Sequence, residues 1–221
     1  VDRLLSQADR YNRLRRIRGQ LEAIARAGRH VPRGLPTLFA TLRALVDGEI
    51  LQLRGRAELD VSRDTYDRVL QGKTASLFRW ATGTGALLGG ASEADQERLA
   101  TVGELVGMAF QLVDDSLDYS NEFSDKTALA DLRDGKMTLP LVLAIERTPD
   151  LVESVRRVHR GEDASLVEVR QRVLESGACD EVRRLADAKT ARALEILALA
   201  PESEARLLLE DVVSKLADRS A

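Results

Sequence analysis

Apolar residues recur about every 3.6 positions along nearly the whole chain, and clean alternation with a period of two is absent. The stripe formed by Leu38, Leu42, Leu45 and Val46 shows this spacing, which places apolar side chains on one face of a helix. Leu, Ala, Arg and Glu, all good helix formers, dominate the composition. The pattern therefore predicts an all-α fold, and 221 residues are enough for a single domain over 1–221 with a sizeable core.

The charge balance and the single cysteine limit the possible functions. The chain has 33 basic and 36 acidic side chains, a net charge of −3, which gives no electrostatic support for binding nucleic acid. Cys179 cannot form an intramolecular disulfide, which is typical of a reducing compartment. The N-terminus does not resemble a signal peptide, and the longest apolar run, 139–145, is far shorter than the ~20 residues that span a bilayer. We expect a cytoplasmic protein without a membrane span.

Prolines and serines indicate where the helices begin and end. Pro32 and Pro36 predict a break, followed by a helix from Thr37. Ser62 and Ser92 have the positions of N-caps, the second one for a long helix that ends near residue 119. An irregular loop is predicted over 120–137, and further helices follow it up to about residue 217.

The long helix ends in an unusual cluster of acids, Asp114, Asp115 and Asp118. At 100° per residue, Asp114 and Asp118 lie about 40° apart on the helix. Like charges at this spacing repel by roughly 0.2–0.5 kcal/mol per pair, and a helix C-terminus disfavours anions. Carboxylate oxygens suit Mg²⁺, and the downstream lysines Lys126 and Lys136 suit phosphates. Two interpretations remain open from the residues alone: a metal–phosphate site or a solvated acidic face.

Four motifs, in order along the chain, resemble those of the trans-isoprenyl diphosphate synthases, also called polyprenyl synthetases. "VDGEILQL" at 46–53 is similar to the G-E-x-x-Q-L helix of that family, and "GKTASLF" at 72–78 to its K-T-A segment. "GMAFQLVDDSLDY" at 107–119 resembles the second aspartate-rich motif, F-Q-x-x-D-D-x-x-D. "ADLRDGKMTLPL" at 130–141 resembles the D-L-x-x-G-K-x-T-L-P element that follows it, and the tail is also similar in style, so that the match covers 35–221.

The resemblance implies a particular fold and reaction. Members of the family form an all-helical bundle around a central cavity and are usually dimeric, so a homodimer is expected. Three Mg²⁺ ions bind the diphosphate of an allylic substrate, and its ionisation gives an allylic cation that isopentenyl diphosphate attacks. The product is a longer trans-isoprenyl diphosphate, which implies a prenyltransferase of isoprenoid biosynthesis.

The resemblance also implies roles for individual residues. For the metal, Asp114 would be the direct ligand, with Asp115 and Asp118 in support and Asp131 acting through metal-bound water. For the substrate, Lys73, Lys126 and Lys136 would contact the allylic diphosphate, and Thr74 and Gln111 would line the entrance for its tail. Lys73, Asp114 and Lys126 are the candidate catalytic residues.

Simpler interpretations remain for several of these positions. Thr74 and Gln111 would also be explained as buried polar groups bonded to the backbone, and Lys126 as a solvated loop lysine. Glu49 and Gln52, on the helix of the G-E-x-x-Q-L motif, are expected to support the site indirectly or to pack.

The sequence departs from the family before Leu35. Neither the first aspartate-rich motif nor the G-K-R-x-R-P segment is found there, and the acids of that stretch are Asp2, Asp9 and Glu22. One interpretation is that residues are missing from this part of the sequence, which predicts consecutive numbers that are not covalently joined. The other is a naturally shortened, non-catalytic partner subunit of a heteromeric synthase. The complete second motif favours the first interpretation.

Overall fold

The computed structural model describes residues 2–27, 34–120, 129–162 and 164–217. Within these ranges every regular element is a helix, which confirms the all-α prediction. The eleven described α-helices are α1 (Asp2–Ala27), α2 (Gly34–Glu58), α3 (Arg63–Leu70), α4 (Ser76–Leu88), α5 (Glu93–Ser120), α6 (Ala130–Arg133), α7 (Leu139–Arg147), α8 (Leu151–His159), α9 (Ala164–Glu175), α10 (Ala178–Leu197) and α11 (Glu204–Ala217).

Both predicted serine caps are present. The Ser62 hydroxyl accepts a hydrogen bond from the backbone N–H of Thr65 at 3.4 Å, and the Ser92 hydroxyl accepts one from Asp95 at 3.2 Å. Each bond satisfies an N–H group that the first turn of a helix leaves without a partner.

Two boundaries differ from the prediction. Helix α2 begins at Gly34 rather than Thr37 and includes Pro36 in its first turn, because a proline there removes no N–H that the helix needs. The loop predicted over 120–137 contains the one-turn helix α6. Helix α1 runs from Asp2 to Ala27, and residues 28–33 after it lie outside the described residues. The chain break expected before Leu35 stays a prediction.

A π-helical turn, Gln71–Ala75, joins α3 to α4 and carries the K-T-A segment. It lies directly against α2 where two glycines meet. A Cβ atom on Gly72 would lie 2.8 Å from the carbonyl oxygen of Ala44, and one on Gly48 would lie 2.8 Å from the backbone nitrogen of Lys73. Since real Cβ atoms do not approach so closely, the two glycines permit the contact that sets Lys73 beside α2.

Helix α5 forms the centre of the bundle, packed against α4 on one side and α10 on the other. The largest described core cluster lies around its C-terminal half and includes most of α7. Residues 139–145 are all buried, so the longest apolar run of the sequence is a core helix. In the described ranges, no helix combines the length and the apolar character that crossing a bilayer requires.

Candidate functional site

Asp115 is the best-satisfied carboxylate of the acidic cluster. Its side chain is 0% exposed and accepts hydrogen bonds from the Tyr66 hydroxyl at 2.8 Å, the Gln111 amide at 2.9 Å and the Lys136 ammonium at 3.0 Å. Burial raises the pKa of Asp115, and the charge of Lys136 opposes that rise. Three donors on one buried carboxylate fix its position on α5.

Lys136 joins the acidic cluster to the loop that follows it. Its ammonium also donates to Asp131 on α6 at 2.6 Å. Burial acts to lower the pKa of Lys136, but the carboxylates of Asp115 and Asp131 outweigh burial and raise it well above its ordinary value. The preceding turn contains Gly135 with a φ of +72°, a conformation that glycine adopts without strain. This turn therefore brings a cation from the loop to the end of α5.

Asp118 differs from Asp115 in having an unsatisfied oxygen. Its Oδ2 atom is buried and has no hydrogen-bond partner in the part of the chain that the structure describes. Burial, followed by the nearby carboxylate of Asp131, raises the pKa of Asp118 to about 6. A buried carboxylate oxygen without a donor is costly, and a cation beside it would remove that cost.

Asp114 lies on the exposed side of α5, and its one hydrogen bond to a described residue is a long 3.4 Å contact with the Gln111 amide. Among the described residues no three acidic, histidine or cysteine side chains are grouped closely enough to enclose a metal ion. Asp114 and Asp118 nevertheless supply hard oxygen donors one helical turn apart. Mg²⁺ is commonly held by one or two carboxylates, with water and substrate phosphate in its other positions, so the residues present fit this ion.

Lys73, on the π-helical turn, lines the same cavity as Asp115 and Lys136. Its ammonium lies 2.7 Å from a Glu49 carboxylate oxygen and donates to the Gln52 side-chain oxygen at 2.7 Å. Burial acts to raise the pKa of Glu49, but Lys73, and then Arg10 and Arg56, lower it below its ordinary value. Glu49 and Gln52 were expected either to support the site indirectly or to pack. Because both contact Lys73, a candidate site residue, they have the first of these roles.

A chain of hydrogen bonds crosses the site from the π-helical turn to the loop. The Thr74 hydroxyl donates to Gln111 at 3.2 Å, and Gln111 in turn donates to Asp115. These contacts are with side chains, unlike the backbone bonds of the simpler interpretation. The residues that line one cavity include Gln52, Tyr66, Lys73, Thr74, Gln111, Asp115 and Lys136.

The predicted residues fall into three groups. Hydrogen bonds connect Thr74, Gln111, Asp115, Lys136 and Asp131, and Lys73 lines the same cavity as the first four. Asp114 is exposed on α5, and Asp118 is half-buried one turn further on. Lys126 lies outside the described residues. Tyr66 was not predicted, because it precedes its partner Asp115 by 49 positions and no local pattern in α3 marks it.

Comparison with known proteins shows which family the chain resembles in sequence and in fold. The sequence model of the polyprenyl synthetase family matches residues 17–177. The all-trans-nonaprenyl-diphosphate synthase (geranyl-diphosphate specific) of Rhodobacter capsulatus is 36% identical over 181 residues, which are 79% of this chain and 55% of that protein. Component 2 of the heptaprenyl diphosphate synthase of Geobacillus stearothermophilus is 33% identical over 206 residues, 90% of this chain and 62% of that protein.

A solved structure agrees with the sequence comparisons. The polyprenyl synthase of Caulobacter crescentus, crystallised with calcium and isoprenyl diphosphate, superposes with a TM-score of 0.77 at 34% identity. The superposition covers 86% of this chain and 60% of that one. The chain spans about half the length of the curated relatives it matches. By its sequence and by its fold, the chain belongs to the polyprenyl synthetase family.

Proposed function

We propose that the protein is a Mg²⁺-dependent prenyltransferase that condenses isopentenyl diphosphate with an allylic diphosphate to make a longer trans-isoprenyl diphosphate. The observation that supports this proposal is one polar cavity in a chain of this family. Its lining includes Lys73, Thr74, Gln111, Asp115 and Lys136, and hydrogen bonds link the last four. The names of the relatives support the same substrates, since one is geranyl-diphosphate specific and another was crystallised with isoprenyl diphosphate.

In this proposal the basic residues bind the allylic diphosphate. Lys73 contacts it from the π-helical turn, where its side chain is 40% exposed and held by Glu49 and Gln52. Lys136 contributes charge from the opposite side, and Lys126 is proposed as a third contact. Thr74 and Gln111 orient the start of the isoprenoid tail beside the diphosphate.

The acidic residues hold the cations. Asp114 and Asp118 would bind Mg²⁺ directly or through water, and Asp131 would act through metal-bound water. Three ions are proposed with diphosphate bound, and they would neutralise the charge that develops on the departing pyrophosphate. Asp115 maintains the positions of Gln111 and Lys136. The apolar core beneath α5 limits the access of water to a cationic intermediate.

We also propose that the protein is a homodimer and is located in the cytoplasm.

The second candidate function is that of a non-catalytic partner subunit of a heteromeric synthase. One relative is named as component 2 of a heptaprenyl diphosphate synthase, so the test below includes a second synthase. The complete second motif favours the enzyme, because a subunit without catalysis has no physical need for clustered carboxylates that repel one another.

The test follows labelled isopentenyl diphosphate into longer products with a series of allylic diphosphate primers. The prenyltransferase proposal expects incorporation with at least one primer and its loss when EDTA removes the metal. The same assay is repeated with a second synthase of the family added. No incorporation by the protein alone, together with a higher activity of the added synthase, would establish the partner subunit instead.

A further inference from the structure

Helix α1 is attached to α2 through side chains that lead toward the candidate site. An Arg10 guanidinium nitrogen lies 2.5 Å from a Glu49 carboxylate oxygen. The Tyr11 hydroxyl accepts a hydrogen bond from Arg54 at 2.6 Å, and the Arg54 guanidinium also lies over the Tyr11 ring. Arg10 and Tyr11 precede residue 17, where the match to the family begins. A segment outside the family match thus contacts the helix that supports Lys73.

Glu49 is shared between two cations. One carboxylate oxygen lies next to Arg10, and the other lies 2.7 Å from the Lys73 ammonium. The Glu49 side chain is only 12% exposed, so solvent screens these contacts weakly. Gln52 accepts a second hydrogen bond from Lys73. Since an ammonium has three donors, one remains for a ligand.

Arg10 adds one positive charge to this cluster. Glu49 and Lys73 alone sum to zero, and a neutral pair attracts a diphosphate weakly. With Arg10 the three side chains sum to +1, and Glu49 divides its attraction between two cations. The neighbouring Arg56 adds a further positive charge near Glu49.

We propose that Arg10 is a positioning residue that acts through Glu49 and keeps the charge of Lys73 available to the diphosphate of the substrate. The inference rests on the proposed function, because it assumes that a diphosphate binds at Lys73. It adds a residue that lies outside the 17–177 match to the family model and assigns α1 a role at the site.

The experiment measures pyrophosphate binding in the presence of Mg²⁺ by isothermal titration calorimetry. Arg10→Gln is expected to raise Kd by about three- to fivefold, the size of a partly exposed charge interaction. Arg10→Lys keeps the charge and is expected to restore most of the affinity. The matched control is Arg13→Gln on the same helix, which removes the same charge from a residue paired with the exposed Asp9, and its Kd should equal that of the wild type.

A double-mutant cycle shows whether Arg10 acts through Glu49 or only through the long-range field of its charge. In the Glu49→Gln background, Arg10→Gln should cause no further change in Kd. Equal effects of Arg10→Gln and Arg13→Gln, no effect of Arg10→Gln, or full additivity with Glu49→Gln would each overturn the inference. If circular dichroism shows that Arg10→Gln lowers the helix content, the Arg10→Lys variant is used instead. Weaker pyrophosphate binding by Arg10→Lys, with normal helix content, would then overturn the inference. A wild type that binds no pyrophosphate would instead contradict the proposed function.

Discussion

Asp115 and Asp118 lie three residues apart on one helix, yet their burial and hydrogen bonding differ. Asp115 is completely buried and accepts three hydrogen bonds. Asp118 has a buried oxygen without a described partner, and its pKa is raised to about 6, chiefly by burial. The difference shows that the three acids of one motif are not equivalent. Asp115 is held by internal hydrogen bonds, and we propose that Asp114 and Asp118 are the carboxylates that hold a cation most directly.

The largest expected effect is on stability. Asp115→Ala should lower the free energy of unfolding by about 3–5 kcal/mol, because it leaves the Tyr66 hydroxyl without its partner and removes one of the two carboxylates that compensate Lys136. Urea denaturation measures this change. The matched control Asp114→Ala, at an exposed position one residue earlier, should stay within about 0.5 kcal/mol of the wild type. Similar losses in both variants would remove the distinction between the two carboxylates.

The second prediction concerns activity. Asp114→Ala should lower the rate of isopentenyl diphosphate incorporation by ~10²–10³-fold, the usual cost of losing an electrostatic stabiliser of the transition state. Its stability without metal should be equal or slightly higher, since repulsion within the cluster is relieved. Asp187→Ala, at an exposed aspartate of α10, is the control and should keep the wild-type rate. Full activity of Asp114→Ala would exclude Asp114 as a metal ligand.

Two lysines of the site, Lys136 and Lys73, differ in burial much as the aspartates do. Lys136 bridges two carboxylates in a largely buried position, whereas Lys73 is 40% exposed. Lys73→Ala should therefore raise KM for the allylic substrate by about tenfold, the loss of one charge-assisted hydrogen bond. Its effect on stability should be smaller, because Arg10 remains beside Glu49. Lys215→Ala, at an exposed lysine of α11, should change neither quantity. A Lys73 variant that loses stability but keeps its KM would mark Lys73 as a structural lysine.

The smallest expected effect is a dependence of stability on pH without metal. Since the pKa of Asp118 is higher in the folded protein than in the unfolded chain, the folded state binds the proton more tightly. This contribution is fully present below about pH 4, the ordinary carboxyl pKa, and is lost as pH rises through about 6. Urea denaturation in EDTA at several pH values measures it. Asp118→Asn should remove this part of the slope, and an unchanged slope would show that Asp118 titrates normally.

Helices and motif positions were predictable because both depend on local sequence. The 3.6-residue apolar period predicted the bundle, and hydroxyl residues before helical runs predicted the caps at Ser62 and Ser92. The π-helical turn at Gln71–Ala75 was not predicted, because a single wider turn leaves the apolar pattern of the surrounding helix intact.

The internal organisation of the site was not predictable from local sequence. Which of three neighbouring aspartates is buried depends on Tyr66 from α3 and Lys136 from a later loop, which only tertiary packing brings together. The sharing of Glu49 between Arg10 and Lys73 likewise joins three separate segments. The resemblance to the family implied a role for each of these residues, but it did not imply that Asp115 is buried with three hydrogen-bond donors.

The division of roles within the acidic cluster is tested most directly by thermal unfolding with and without Mg²⁺ and pyrophosphate. A ligand that binds only the folded state raises Tm, so one melting series reports both stability and binding. Asp114→Asn should keep the Tm of the metal-free wild type and lose the rise caused by the ligands. Asp115→Asn should have a lower metal-free Tm and still respond to them. An Asp115→Asn variant with an unchanged metal-free Tm and no ligand response would contradict the account.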